Sequence, residues 1–236
     1  MAGGLLNIVS VGNNNIILTG NPTKTFFKVA YSKYTNFGLQ KFRLDYDGIS
    51  DLRLTQESTF KFKIKRYADL LMDMYIVITL PDIWSPIHEP TTSTSDNWSA
   101  YDFRWIRDIG THIIKEINIT CGALTIQKYS GNYLQAMVDR DFSKDKKELF
   151  NQMTGNTEEL FDPAYYDTRF GTYPSTFFTG YSGGAEPSIR GRNLYVPINA
   201  WFTMDSRCAF PLISLQYNEL EISVTLRPIQ EILQRD

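Results

Sequence analysis

The sequence predicts an all-β sandwich, and three observations predict it. Aromatic residues make up 14% of the 236 residues, with 15 Phe and 14 Tyr, and aromatics suit the pleated, half-buried surface of a strand. Several segments alternate apolar and polar side chains with a period of two, which sends one set into a core and the other toward water. Helical signals are few and fall in one stretch near the middle of the chain.

The first alternation runs from residue 40 to residue 47. Phe42, Leu44 and Tyr46 point one way, and Lys41, Arg43 and Asp45 the other. Residues 59–65 alternate more strictly, with Phe60, Phe62 and Ile64 on one face and Lys61, Lys63 and Lys65 on the other. Residues 220–227 repeat the pattern, Leu220, Ile222, Val224 and Leu226 facing in and Glu221, Ser223, Thr225 and Arg227 facing out. A helix, with its period of 3.6, cannot separate these sets. Residues 74–80 (MYIVITL) and 113–121 (IIKEINITC) are apolar on both faces and read as more central strands. Residues 123–129 pair back on the latter through Gly122, and residues 193–198 form a further strand whose Pro197 marks an edge or an end.

Residues 132–142 and 144–153 carry the helical signals, with Ser143 placed to cap the second. They form a two-helix insertion between strands. Residues 88–97 and 156–192 read as long surface loops, a length uncommon in a compact domain unless the loop has a task. The total is about eight strands joined by long excursions, which fits an eight-stranded jelly roll, two facing sheets with the loops gathered at the ends.

Composition narrows the function. Hydrophobic residues at 42% and charged residues at 21% describe a globular chain. A formal net charge of −2 lacks the basic excess of a protein that wraps nucleic acid. Met1 to Ser10 lacks the basic and apolar regions of a signal peptide. No apolar run reaches the ~18 residues of a membrane span. The expectation is a soluble chain of cytosolic origin, with Cys121 and Cys208 as buried free thiols in a reducing compartment.

An ordered series of short stretches carries a resemblance. It opens with Gly3-Gly4-Leu5-Leu6, residues 18–28 (LTGNPTKTFFK) and Tyr34-Thr35-Asn36-Phe37. It continues with residues 63–71 (KIKRYADLL), residues 80–86 (LPDIWSP), Trp105, Ile109-Gly110 and Ile113-Ile114. It ends with Asn199-Ala200-Trp201-Phe202, Arg207, Ala209-Phe210-Pro211-Leu212 and Leu226-Arg227-Pro228-Ile229. The set resembles major capsid proteins of nucleocytoplasmic large DNA viruses, of the mimivirus-like and algal-virus-like group. The resemblance implies two tandem jelly rolls, homotrimeric capsomers tiling an icosahedral shell, and an arm on the inner side near minor capsid proteins or an inner membrane. Residues 1–36 then correspond to the N-terminal arm and first strand region. Residues 37–236 correspond to a single jelly-roll domain, the first of the two expected, with the second absent. The expected location is the virion, assembled in the host cytoplasm. A minor or penton single jelly-roll capsid protein is the nearby alternative.

No residue set announces chemistry, and the expectation is no enzyme, no catalytic residue, no cofactor and no metal. His88 and His112 are isolated from one another and lack ligand spacing with the cysteines. Glu219 and Glu221 share a strand face, as the paired carboxylates of a glycoside hydrolase do, but sit beside outward Ser223 and Arg227 on what reads as a solvated face. A carbohydrate-binding sandwich, stacking sugars on exposed Trp and Tyr, is the other alternative, though Trp84, Trp98, Trp105 and Trp201 are scattered. The Lys61, Lys63, Lys65, Arg66 stripe reads as a charged edge that resists strand pairing before it reads as a phosphate or lipid-headgroup contact. Asn97-Trp98-Ser99 and Asn118-Ile119-Thr120 match the glycosylation pattern by chance.

Overall fold

The computed structural model describes residues 36–48, 52–88, 99–176 and 186–235. Two compact units divide the chain, Met1–Arg43 and Leu44–Asp236. The described part of the first, residues 36–43, is exposed and has no regular secondary structure. Most of the arm assigned to residues 1–36 lies outside the described residues.

The second unit is built on a four-stranded antiparallel sheet. Its strands are β1 (Ser58–Ile64), β7 (Ile114–Cys121), β8 (Leu124–Tyr129) and β11 (Leu220–Leu226), in the order β1-β11-β7-β8. The alternation read from the sequence is the burial observed: β11 alternates strictly between buried and partly buried residues, and Phe60 and Ile64 of β1 are buried while Lys61 and Lys63 are exposed. Register turns this alternation into rows across the sheet. Phe60, Val224, Ile117 and Tyr129 make one buried row, and Phe62, Ile222 and Ile119 extend the apolar face beside it. Fully burying each such aliphatic side chain contributes roughly 1.5–3 kcal/mol.

Two local devices shape the sheet. The β7–β8 connection is the two-residue turn Gly122-Ala123, and Gly122 has φ +60, the left-handed backbone that tight hairpins require. Between Thr225 and Leu226 the register against β7 shifts, pairing Thr225 with Glu116 and Leu226 with Ile114. Lys115 is left over as a bulge, exposed and ion-paired to Glu57. The bulge turns Ile114 onto the buried face with Ile117, and Ile113, the C-cap residue of the helical turn Ile109–His112 before the strand, is buried from that turn.

A separate antiparallel ladder pairs β3 (Tyr75–Leu80) with β9 (Arg192–Pro197). Ile78, Leu80, Leu194 and Val196 belong to the same buried cluster as Phe60, Ile117 and Ile222. The sequence reading of residues 74–80 as covered on both faces is corrected here. Among the described residues β3 pairs only with β9, and Tyr75, Val77 and Thr79 are exposed. Pro197 does end its strand, as expected.

Shorter pairs complete the unit: β2 (Leu70–Leu71) with β10 (Phe210–Pro211), β4 (Ile87–His88) with β5 (Ser99–Ala100), and β6 (Phe103–Trp105) with β12 (Leu233–Arg235). Near the first of these, Trp201, Phe202 and Phe210 form an aromatic triangle with centroids 4.7 to 5.7 Å apart. Leu212 N–H donates to the Asp69 carbonyl at 2.8 Å. The expected strand over residues 40–47 is not formed. Only Asp47 joins the sheet, through an isolated bridge to Lys61. Alternation assigns faces but supplies no partner. Even so, Tyr46 lies edge-on to Phe60 at 5.2 Å, and Leu44 packs on the core.

The helices are α1 (Ile109–His112), α2 (Gly131–Asp141), α3 (Lys144–Thr154), α4 (Glu158–Phe161) and α5 (Ile229–Ile232). The two-helix insertion falls between β8 and β9 as α2 and α3. Ser130 caps α2 by accepting from Tyr133 N–H at 3.4 Å, and Leu134, Met137 and Val138 face inward. Ser143 occupies the cap position of α3, but its hydroxyl makes no capping bond. The span 156–192 is less loop-like than expected. It contains α4 with Leu160 fully buried, Tyr173 donates to the Phe103 carbonyl at 2.9 Å, and Ile189 bridges Ile83. Residues 177–185 lie outside the described residues, as do residues 89–98 of the other expected loop.

Candidate interaction surfaces

None of the candidate chemical groups assembles into a site. Glu221 forms an ion pair with Lys61 at 3.8 Å on the outer sheet face. Glu219 precedes β11 and is exposed. His112 is not at a strand start but in α1, where Nδ1 lies 3.2 Å from the Asp108 carbonyl. His88 is in β4. Among the described residues no three His, Cys, Asp or Glu side chains are grouped to hold a metal. The cysteine expectation needs correction. Both thiols are free, but Cys208 is exposed in a 3₁₀ turn over Ser206–Cys208, and Cys121 is partly buried at the end of β7. A thiol in a surface turn has no core to enter.

Trp105 is buried, Trp84 and Trp201 are half-exposed, and Trp98 lies outside the described residues. Asn118 sits in a strand paired on both sides, with its Oδ1 buried, so the sequon it heads is held within the sheet. Asn97 lies outside the described residues. No helix among those residues is long and apolar enough to cross a membrane.

Asp108 is an ionisable group in an unusual setting. Its backbone is left-handed, with φ 51, at the N-terminal boundary of α1. Its carbonyl receives Thr111 N–H at 3.1 Å, His112 N–H at 2.9 Å and the Thr111 hydroxyl at 3.0 Å. Burial holds its carboxyl above the ordinary value, reinforced by Asp139 and opposed by His112, Arg107 and a hydrogen bond to Asn156. These contacts fix the entry to α1. Tyr173 is likewise raised to about 12 by burial.

The outward faces of the four-stranded sheet and of the β3–β9 ladder differ sharply in chemistry. Register across the four-stranded sheet places Lys61, Ser223, Asn118 and Lys128 in one outward row and Lys63, Glu221 and Thr120 in the next. Lys128 pairs with Glu116 at 2.9 Å, and Thr59 and Thr225 share a hydrogen bond at 3.1 Å. Mixed charge, exposed ion pairs and hydroxyls suit water, and such pairs add only about 0–1 kcal/mol each. The Lys61–Lys65 stripe is therefore part of a solvated, charge-balanced face.

The outer face of the β3–β9 ladder is largely apolar. Tyr75 stands opposite Pro197 and Val77 opposite Tyr195, with Thr79 hydrogen-bonded to Asn193 at 2.8 Å. Tyr75, Val77 and Tyr195 keep 51%, 55% and 45% of their surface exposed. Tyr75 and Pro197 also border a shallow groove against α3, where Leu149 and Met153 are exposed and Lys146 and Asp73 supply opposite charges. No Trp lines this groove, and Tyr75 is its one exposed aromatic side chain of the kind a sugar-binding reading expected. Sequence reasoning missed the face because it took the apolar run 74–80 as already covered. The visible signal was Tyr75 in a run with no charge between Asp73 and Asp82, matched by Tyr195 in the partner strand.

The sequence and the fold have counterparts among known proteins. A family model for the N-terminus of major capsid proteins matches residues 25–234. Capsid protein 1 of Acanthamoeba polyphaga mimivirus is 31% identical over 229 residues, covering 96% of this chain and 35% of that protein. The major capsid protein of Phaeocystis pouchetii virus is 30% identical over 236 residues, covering 99% of this chain and 42% of that protein. The chain thus spans less than half the length of these relatives. Among solved structures, a quasi-atomic model of the PBCV-1 virus capsid superposes with a TM-score of 0.59 at 18% identity, over 89% of this chain and 39% of that one. The Faustovirus major capsid protein gives 0.56 at 14% identity, over 100% of this chain and 52% of that one. Likeness at such identities is likeness of fold, but the sequence match extends over nearly the whole chain. On that match this chain belongs to the major capsid protein family of large DNA viruses, matching its N-terminal part.

Proposed function

We propose that this chain is a structural virion protein, a building block of an icosahedral capsid shell. The observation that carries the proposal is the family match from residue 25 to residue 234. In this reading an eight-stranded jelly roll over residues 37–236 is the rigid body and residues 1–36 are its arm. Copies associate as homotrimers, which contact neighbouring capsomers. Minor capsid proteins and an inner membrane lie on the inner side. The protein resides in the virion after assembly in the host cytoplasm. It needs no catalytic step, no cofactor and no direct sequence-specific nucleic-acid contact.

The physical support is the division of labour within the sandwich. A shell needs a stiff block, and the inner faces of the sheet and ladder pack as one apolar cluster from Phe60 to Ile232. It also needs contacts that are modest singly and stable when repeated by symmetry. Polar and apolar outer faces on one block give the chain a side for water and a side for association. The test is the solution mass by size-exclusion chromatography with light scattering. A discrete species at three times 27.2 kDa is expected. A monodisperse 27.2 kDa particle at every concentration refutes trimer formation by this chain.

A further inference from the structure

We draw no further inference here: the strongest candidate, the exposed apolar face of the β3–β9 ladder with the shallow groove beside α3, carries none because nothing in the structure shows what covers it.

Discussion

Gly131 opens α2, and two physical effects give opposite signs for Gly131→Ala. Helix propensity favours alanine by up to ~1 kcal/mol. Packing opposes it. A Cβ built on Gly131 would lie 1.9 Å from the Thr111 carbonyl oxygen and 2.4 Å from that of Ile114. Real Cβ atoms essentially never come within 3.0 Å of another heavy atom. Both obstacles are backbone, so no rotamer change relieves them, and α2 must retreat from the α1–β7 junction by roughly 1 Å in a close-packed interior. Overpacking of this kind costs about 1–3 kcal/mol or more. Because backbone is displaced, the upper part of that range applies, and after the propensity gain the net loss is about 2 kcal/mol. For a domain of this size that lowers the melting midpoint by about 4–8 °C. Circular dichroism melts of Gly131→Ala test the net sign, with Gly38→Ala, outside any helix and with nothing within 4 Å of the added carbon, as the control for adding a methyl where there is room. A Gly131→Ala midpoint equal to or above wild type refutes the reasoning.

Three further outcomes follow from particular environments. Ile222, 3% exposed and in register between Phe62 and Ile119, should cost about 2–5 kcal/mol on change to Ala, read by urea unfolding; a loss under about 1 kcal/mol would show that the sheet face collapses over the cavity. Asp108 has a folded-state pKa raised above 3.8, so the native state holds its proton more tightly than the unfolded chain. The corresponding stability is fully present below 3.8 and is lost as pH rises through the raised value. Asp108→Asn removes the buried charge and tolerates the left-handed backbone. It should raise stability at neutral pH, with the advantage shrinking on acidification, and a constant difference across pH contradicts the assignment. Cys208, exposed, should react with a chromogenic thiol reagent in the folded protein well before Cys121; two equally fast thiols would mean that the end of β7 is open.

The elements legible in the sequence are those whose charges mark a face. β1 and β11 were readable because Lys61, Lys63, Glu221 and Arg227 alternate with Phe60, Phe62, Ile222 and Leu226, and that alternation needs only local chain geometry. The β7–β8 hairpin was readable because Gly122 punctuates it. Residues 40–47 alternate just as well and form no strand, since a ladder requires a partner that local pattern does not name; only Asp47 finds one, in Lys61. The two-residue pairs, Leu70–Leu71 with Phe210–Pro211 among them, are too short for any period to show. The groove beside α3 joins Asp73 to Tyr75, Phe142 to Met153 and Pro197 to Thr203, three stretches that meet only through the fold.

The misreading of β3 is the informative one. A run apolar on both faces is the signature of a strand with a layer on each side. A central strand needs a layer on each side, and the structure supplies one, through Ile78, Leu80, Leu194 and Val196. Val77→Lys should leave the chain as stable as before, since Val77 is 55% exposed and buries little on folding. Were Val77 part of the folded chain's own support, the same change would set an ammonium against apolar neighbours and lower the melting midpoint. A midpoint equal to wild type, measured in dilute protein, therefore places Val77 outside the core, and a lowered one places it within.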